Sequence, residues 1–95
     1  MENLPEVARL VDLEQNYPNP FTPATTIPYS VTRPAFVTLT VYDVLGRAVA
    51  TLVDGFKAPG RYTVRFDAGS LPGGVYIYRL ETDRASRTRS LLLLK

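Results

Sequence analysis

A period of two runs through this chain, broken by glycine, proline and aspartate, and nowhere does a helical period last ten residues. In "RYTVRFD", Arg61 to Asp67, the side chains Tyr62, Val64 and Phe66 share one face while Arg61, Thr63, Arg65 and Asp67 share the other. "FVTLTVYD", Phe36 to Asp43, repeats the pattern with Val37, Leu39 and Val41 set against Thr38, Thr40 and Tyr42. Threonine on a wet face keeps strand propensity without exposing apolar surface. Such alternation excludes a helical bundle and predicts sheets with one face in a core and the other in water.

The stretch Val44-Leu45-Gly46 predicts a short hairpin loop with Gly46 in the left-handed position beside a bulge, so strands 36–43 and 47–53 pair antiparallel. The inward set of the second strand is open between Val49 with Val53 and Ala50 with Leu52. Residues 54–60 and "AGSLPGG", 68–74, read as loops. The next strand is Val75 to Thr82, and the spacing from Leu71 to Tyr76 is that of a tyrosine corner, with the Tyr76 hydroxyl bonded to the preceding loop's backbone. A turn from Asp83 leads into the last strand, Arg87 to Lys95. Adding Val7 to Leu13 and Thr25 to Val31 gives about seven strands, so the expected fold is all-β, an immunoglobulin-like Greek-key sandwich of antiparallel strands. Pro28 donates no ladder hydrogen, which puts the strand from Thr25 at a sheet edge or on a bulge. Residues 1–8 read as a linker remnant and 9–95 as the domain.

The chain has no histidine and no cysteine, which removes the commonest general base, the commonest metal ligand and every thiol nucleophile. Asp43, Asp54, Asp67, Glu81 and Asp83 sit singly at turns and strand ends, where aspartate is ordinary turn chemistry. Neither an enzyme nor a bound cofactor or metal is expected. Asp54-Gly55 and Gly73-Gly74 lack the strand-glycine-helix context of phosphate loops, and the basic residues are not interleaved with rings, so neither a small-molecule substrate nor nucleic acid is expected. Tyr17, Tyr29 and Tyr42 are the candidate platforms for a sugar, against the commoner fate of packing on a neighbour. The longest apolar run, Leu91 to Leu94, is strand-sized, and "MENLPEVARL" lacks the layout of a secretory signal. The net charge is +2, but residues 1–20 are acidic and residues 76–95 basic; solvated or mutually paired ends are the plain reading, a basic face toward an anionic surface the sharper one.

The stretch "NYPNPF", Asn16 to Phe21, is a stiff corner. Each proline fixes its own backbone angle and holds the residue before it, Tyr17 or Asn19, extended. Asn19 can bond nearby backbone groups, and Tyr17 and Phe21 can anchor the corner on the core. Followed in order by "VYDVLGR" (Val41 to Arg47) and "GVYIYRL" (Gly74 to Leu80), it resembles the C-terminal type A sorting domain of cargo proteins exported by the type IX secretion system of Bacteroidetes and relatives, from about Leu13 to Lys95. Thr22 stands where relatives commonly have asparagine.

The resemblance implies a domain fused behind an N-terminal cargo, passing through the periplasm and ending at the cell surface or secreted. Its partners would be the outer-membrane secretion machinery and a sortase-like peptidase that removes it, cleaving in or before residues 1–12, and attaches the cargo to the surface. The family motif and recognition residues would be Pro18, Asn19, Pro20, Phe21, Gly46, Gly74 and Tyr76, together with Arg87, Arg89, Leu91, Leu92, Leu93, Leu94 and Lys95. "RSLLLLK" is an apolar edge candidate whose unpaired backbone a partner strand could match, with Arg87, Arg89 and Lys95 meeting acidic groups; the same leucines as plain core is the other reading. The domain is expected to be a monomer or to self-associate weakly through an edge strand. Two alternatives are a structural immunoglobulin-like domain like that of flagellar hook-capping proteins, not cleaved, and a carbohydrate-binding module of a polysaccharide-degrading enzyme. An end at Lys95, directly after a strand, favours the sorting domain.

Overall fold

The alternating stretches all become strands. A computed structural model, which describes residues 10–95, gives them as β1 (Val11–Leu13), β2 (Ala24–Val31), β3 (Ala35–Tyr42), β4 (Ala48–Lys57), β5 (Gly60–Asp67), β6 (Gly74–Glu81) and β7 (Ser86–Leu93). They form a three-stranded sheet in the order β1-β2-β5 and a four-stranded sheet in the order β4-β3-β6-β7. All ladders are antiparallel, and the described residues contain no helix. This is the expected sandwich. The linker assigned to residues 1–8 and the first residues of the strand expected from Val7 lie outside the described residues.

The inward sets close on each other between the sheets. Val37, Leu39 and Val41 of β3, Tyr76, Tyr78 and Leu80 of β6, and Leu91 and Leu93 of β7 share one cluster with Val11, Leu13, Ile27, Tyr29, Val31 and Phe66 from the other sheet. Ile27, Leu39 and Leu80 expose nothing, and burial of each stabilises the fold by about 1.5–3 kcal/mol.

Strand β4 departs from expectation in two ways. It runs on to Lys57, because Asp54, Gly55 and Phe56 pair with Thr38, Val37 and Phe36 and the Phe36 and Phe56 rings meet edge to face at 5.4 Å. The loop expected over 54–60 therefore shrinks to Ala58 and Pro59. Its register against β3 also shifts twice, Leu39 facing Val53 and Thr40 facing Thr51, then Val41 facing Ala50 and Tyr42 facing Ala48. Leu52 and Val49 are the extra residues, and each bulge reverses the alternation of the strand. The residues opposite the inward Leu39 and Val41 are thus Val53 and Ala50, one from each of the two alternative sets.

Pro28 sits in the middle strand of its sheet, in register with Thr63 and without a bulge, so the expectation of an edge or bulge was wrong. The missing hydrogen is accommodated differently. Glu14 N donates to Pro28 O at 3.0 Å, and the return bond that proline cannot give leaves Glu14 O without its ladder donor. The hydroxyl of Tyr78, reaching across from β6, donates to Glu14 O at 2.7 Å and accepts from Asn16 N at 2.9 Å. Burial holds this hydroxyl's pKa above the ordinary tyrosine value, against the opposing pull of the Asn16 bond and the Arg89 charge. One fully buried ring thus carries a polar tie between the sheets.

Removing that hydroxyl orphans a backbone donor and an acceptor at once. Tyr78→Phe is expected to lower stability by about 2–3 kcal/mol, read as a fall in the urea midpoint with an unchanged slope. Tyr76→Phe, which loses a single bond to the carbonyl of Pro72, should lower it by about 1 kcal/mol.

Candidate functional site

The ladders bring the sequence motifs to one end of the sandwich. Tyr42 at the end of β3 is in register with Ala48 at the start of β4 and with Ile77 near the start of β6. Gly74 at the start of β6 faces Leu93 at the end of β7, and Phe21 bridges to that same Leu93. Residues 18–23, the hairpin 43–47, the loop 68–73 and residues 94–95 therefore crowd one pole.

The proline corner is held by side chains that substitute for backbone donors. Tyr17 and Thr26 exchange both backbone bonds at 2.9 Å. Asn16, which is buried, donates through Nδ2 to Pro18 O at 3.2 Å and to Thr25 Oγ1 at 3.0 Å. Thr25 Oγ1 in turn donates to Pro18 O at 2.8 Å. Burying these amide and hydroxyl groups is tolerable because every one of them is bonded; among the described residues no buried side-chain nitrogen or oxygen lacks a partner.

The corner lies along the outer edge of β7. Asn19 Oδ1 accepts from Leu92 N at 3.0 Å, Phe21 N donates to Leu92 O at 3.0 Å, and Leu94 N donates to Phe21 O at 2.9 Å. Gln15 Nε2 donates to Ser90 O at 2.8 Å. The Phe21 ring, sunk in the core 6.0 Å from Phe66, fixes the segment in place. From Ser90 to Leu94 the edge of β7 is covered, so the open backbone expected along "RSLLLLK" is already matched by the chain's own corner. Leu91 and Leu93 are core, Leu92 is half-buried and Leu94 is 47% exposed.

Arg89 and Lys95 are tied to backbone carbonyls of the fold. Arg89 Nε donates to Leu13 O, clipping β7 to β1 across the sandwich, and Lys95 Nζ donates to Gly69 O at 3.1 Å. Arg87 is half-buried beside Leu80 in the register.

The hairpin is built by Asp43. Its Oδ1 accepts from Leu45 N at 2.9 Å and Arg47 N at 3.0 Å, and its Oδ2 accepts from Arg47 Nε at 2.8 Å. These bonds, the Arg47 backbone first, hold the carboxyl below the usual aspartate value. Gly46 has φ of 84°, the left-handed region where a β-carbon is penalised, as the loop reading expected. The result pushes Val44 and Leu45 into water, 68% and 74% exposed. Opposite them, Tyr76 donates to Pro72 O at 2.6 Å, the bond expected of the tyrosine corner, and Gly74 adopts φ of 142°. An open groove of about 510 Å³ runs between the hairpin and residues 71–76.

Asn16, Thr25 and Tyr78 went unassigned at the level of sequence, because no local pattern marks the bonds they make. Asn19 was assigned to its neighbours and instead bonds a residue 73 positions away. Of the platform candidates, Tyr29 is buried against Tyr62, Tyr42 is half-buried beside the Arg79 guanidinium and Tyr17 is exposed, so they make no common sugar-binding face. Among the described residues no group of three or more His, Cys, Asp or Glu could hold a metal, and no helix is long and apolar enough to cross a membrane.

The family model described as "Secretion system C-terminal sorting domain" matches residues 15–94. That span takes in both the corner and the strand it covers, and it favours the sorting reading over the hook-capping and carbohydrate-binding ones. No curated protein matches the chain.

Asn19→Ala should lower stability by about 1 kcal/mol and speed hydrogen exchange more at the Leu92 amide than at Val37 and Leu39 in β3, which lies inside the same sheet. For Asp43, a carboxyl NMR titration should give a midpoint below that of ordinary aspartates. Because the folded pKa is depressed, the bonds to Leu45 and Arg47 are intact above the unfolded value and lost as pH falls through the folded one; the Leu45 and Arg47 amides should shift at that same low pH.

Proposed function

The chain belongs to the family of secretion system C-terminal sorting domains, and from this we propose that its export address is written at the pole where the motifs meet. The domain is a sorting signal for type IX secretion; its family is recognised by the export machinery, is not a catalytic one, and sends proteins across the outer membrane to the cell surface or the medium. The finer reading is ours. Residues 9–95 act as a label behind an N-terminal cargo, with residues 1–8 as linker. The labelled precursor crosses the periplasm, is bound by the outer-membrane machinery, and is released by a sortase-like peptidase that cuts in or before residues 1–12.

A label carried by unrelated cargoes must fold without their help, which suits a sandwich with its own core. One observation carries the choice of surface. Pro18 to Phe21, Gly46, Gly74, Tyr76 and Leu91 to Lys95, dispersed in sequence, converge on one end. That end also presents Val44, Leu45, Val75 and Leu94, four of the exposed large apolar side chains. Exposed apolar clusters with polar surroundings mark contact surfaces. Arg89 and Lys95 contribute by holding β7 in place.

The test is a reporter fused to residues 7–95 in a bacterium with a type IX system. The wild-type fusion should reach the surface or medium. Val44→Asp with Leu45→Asp, and separately Leu94→Asp, should leave the circular dichroism spectrum unchanged and the reporter in the periplasm. Normal export of all these folded variants would refute the choice of pole, and a wild-type fusion kept in the periplasm would refute sorting.

A further inference from the structure

Among the described strands, four lie at sheet edges, β1, β5, β4 and β7, and three of them are blunted. β1 spans three residues, β4 carries two register shifts, and β7 is covered from Ser90 to Leu94 by the proline corner. Short length, bulges and covering segments are the usual defences of a sheet edge. β5 has none of these. It is eight residues long, regular and free of proline.

Its free side can be assigned residue by residue. Thr26 exchanges bonds with Tyr17, and Pro28 O accepts from Glu14, so the even residues of β2 turn their backbone groups toward β1. The odd ones, Thr25, Ile27, Tyr29 and Val31, turn toward β5 and face Phe66, Val64, Tyr62 and Gly60. By the alternation of an antiparallel ladder, Arg61, Thr63 and Arg65 therefore point their N–H and C=O groups away from the sheet. Their side chains stand on its wet face and are all exposed. Beneath the same edge, a recess of about 270 Å³ opens between β5 and β4, lined by Tyr62, Val64 and Leu52 among others.

We propose that β5 is a strand-addition site for an extended acidic segment of a partner protein. An added antiparallel strand centred on Thr63 would place one side-chain set over Arg61, Thr63 and Arg65 and the alternate set over the recess. The fitting sequence has acids four residues apart with a small polar residue between them, and apolar residues at the intervening positions. The β2 residues across from the two arginines, Ser30 and Thr26, are uncharged and do not compete. Glu14 pairs with Arg61 at 2.9 Å but at the surface, where such a pair is easily exchanged. A second copy of the chain is the wrong occupant: antiparallel pairing of two β5 strands about Thr63 sets Arg61 against Arg65 twice, and directly opposed like charges are destabilising.

The probe is a fluorescein-labelled peptide GTVEVTVEVTG, with GTVKVTVKVTG as control. The glutamate peptide should raise anisotropy to saturation with a Kd below about 1 mM, weaken with salt, and shift the amides of Arg61, Thr63 and Arg65 most. Arg61→Glu with Arg65→Glu should lower its affinity about tenfold or more and transfer preference to the lysine peptide. Thr63→Pro removes an outward N–H without touching the β2 ladder and should abolish binding of both. The proposal is overturned by absence of saturation, by equal binding of the two peptides, by amide shifts centred on β7, or by a wild-type dimer in sedimentation that Thr63→Pro dissociates.

Discussion

An open sandwich leaves rows of unpaired backbone groups at its edges, and the covering of the β7 edge by the proline corner organises this molecule. The corner has to approach β7 with Asn19 Oδ1 and the Phe21 backbone aimed at Leu92 and Leu94. Prolines supply the stiffness but remove hydrogens, so the corner's own carbonyls need donors from elsewhere. Asn16 and Thr25 give them to Pro18 O, and at the neighbouring Glu14 O, left short by Pro28 of β2, Tyr78 gives one from the opposite sheet. The edge cover, the inter-sheet tie and the core are thereby one connected set of bonds.

This arrangement reconciles two demands on an export label. Under the proposed function the last strand lies beside the recognition surface, yet an open apolar edge invites pairing with any passing strand. Covering Ser90 to Leu94 while leaving the side chains of Leu94, Val44 and Leu45 exposed presents side chains without presenting an open ladder. The opposite flank differs: β5 keeps its ladder groups open, and its two arginines discriminate between occupants through charge.

Much of the fold was legible because strand alternation is a local property. Phe36 to Asp43 and Arg61 to Asp67 displayed their inward sets directly, and Gly46 and the spacing up to Tyr76 announced a hairpin and a tyrosine corner. What escaped was non-local. The two bulges in β4 shuffle its inward set in a way no single period can show. Pro28 in a middle strand was unreadable because the compensating donor, the Tyr78 hydroxyl, lies 64 positions from Glu14. The site was half visible: the motif residues could be named from sequence, but their meeting at one pole, and the conversion of an expected open edge into a covered one, required the ladders.

This organisation requires the corner to be hydrogen-bonded to the last strand in solution. Scalar couplings transmitted through hydrogen bonds, measured between amide nitrogen and carbonyl carbon in a labelled sample, test it bond by bond. Correlations from Leu94 N to the Phe21 carbonyl and from Phe21 N to the Leu92 carbonyl, at the strength of those between β6 and β7, are the predicted result. Clear couplings along β6 and β7 with none to Phe21 would mean that the edge is open and the account is wrong.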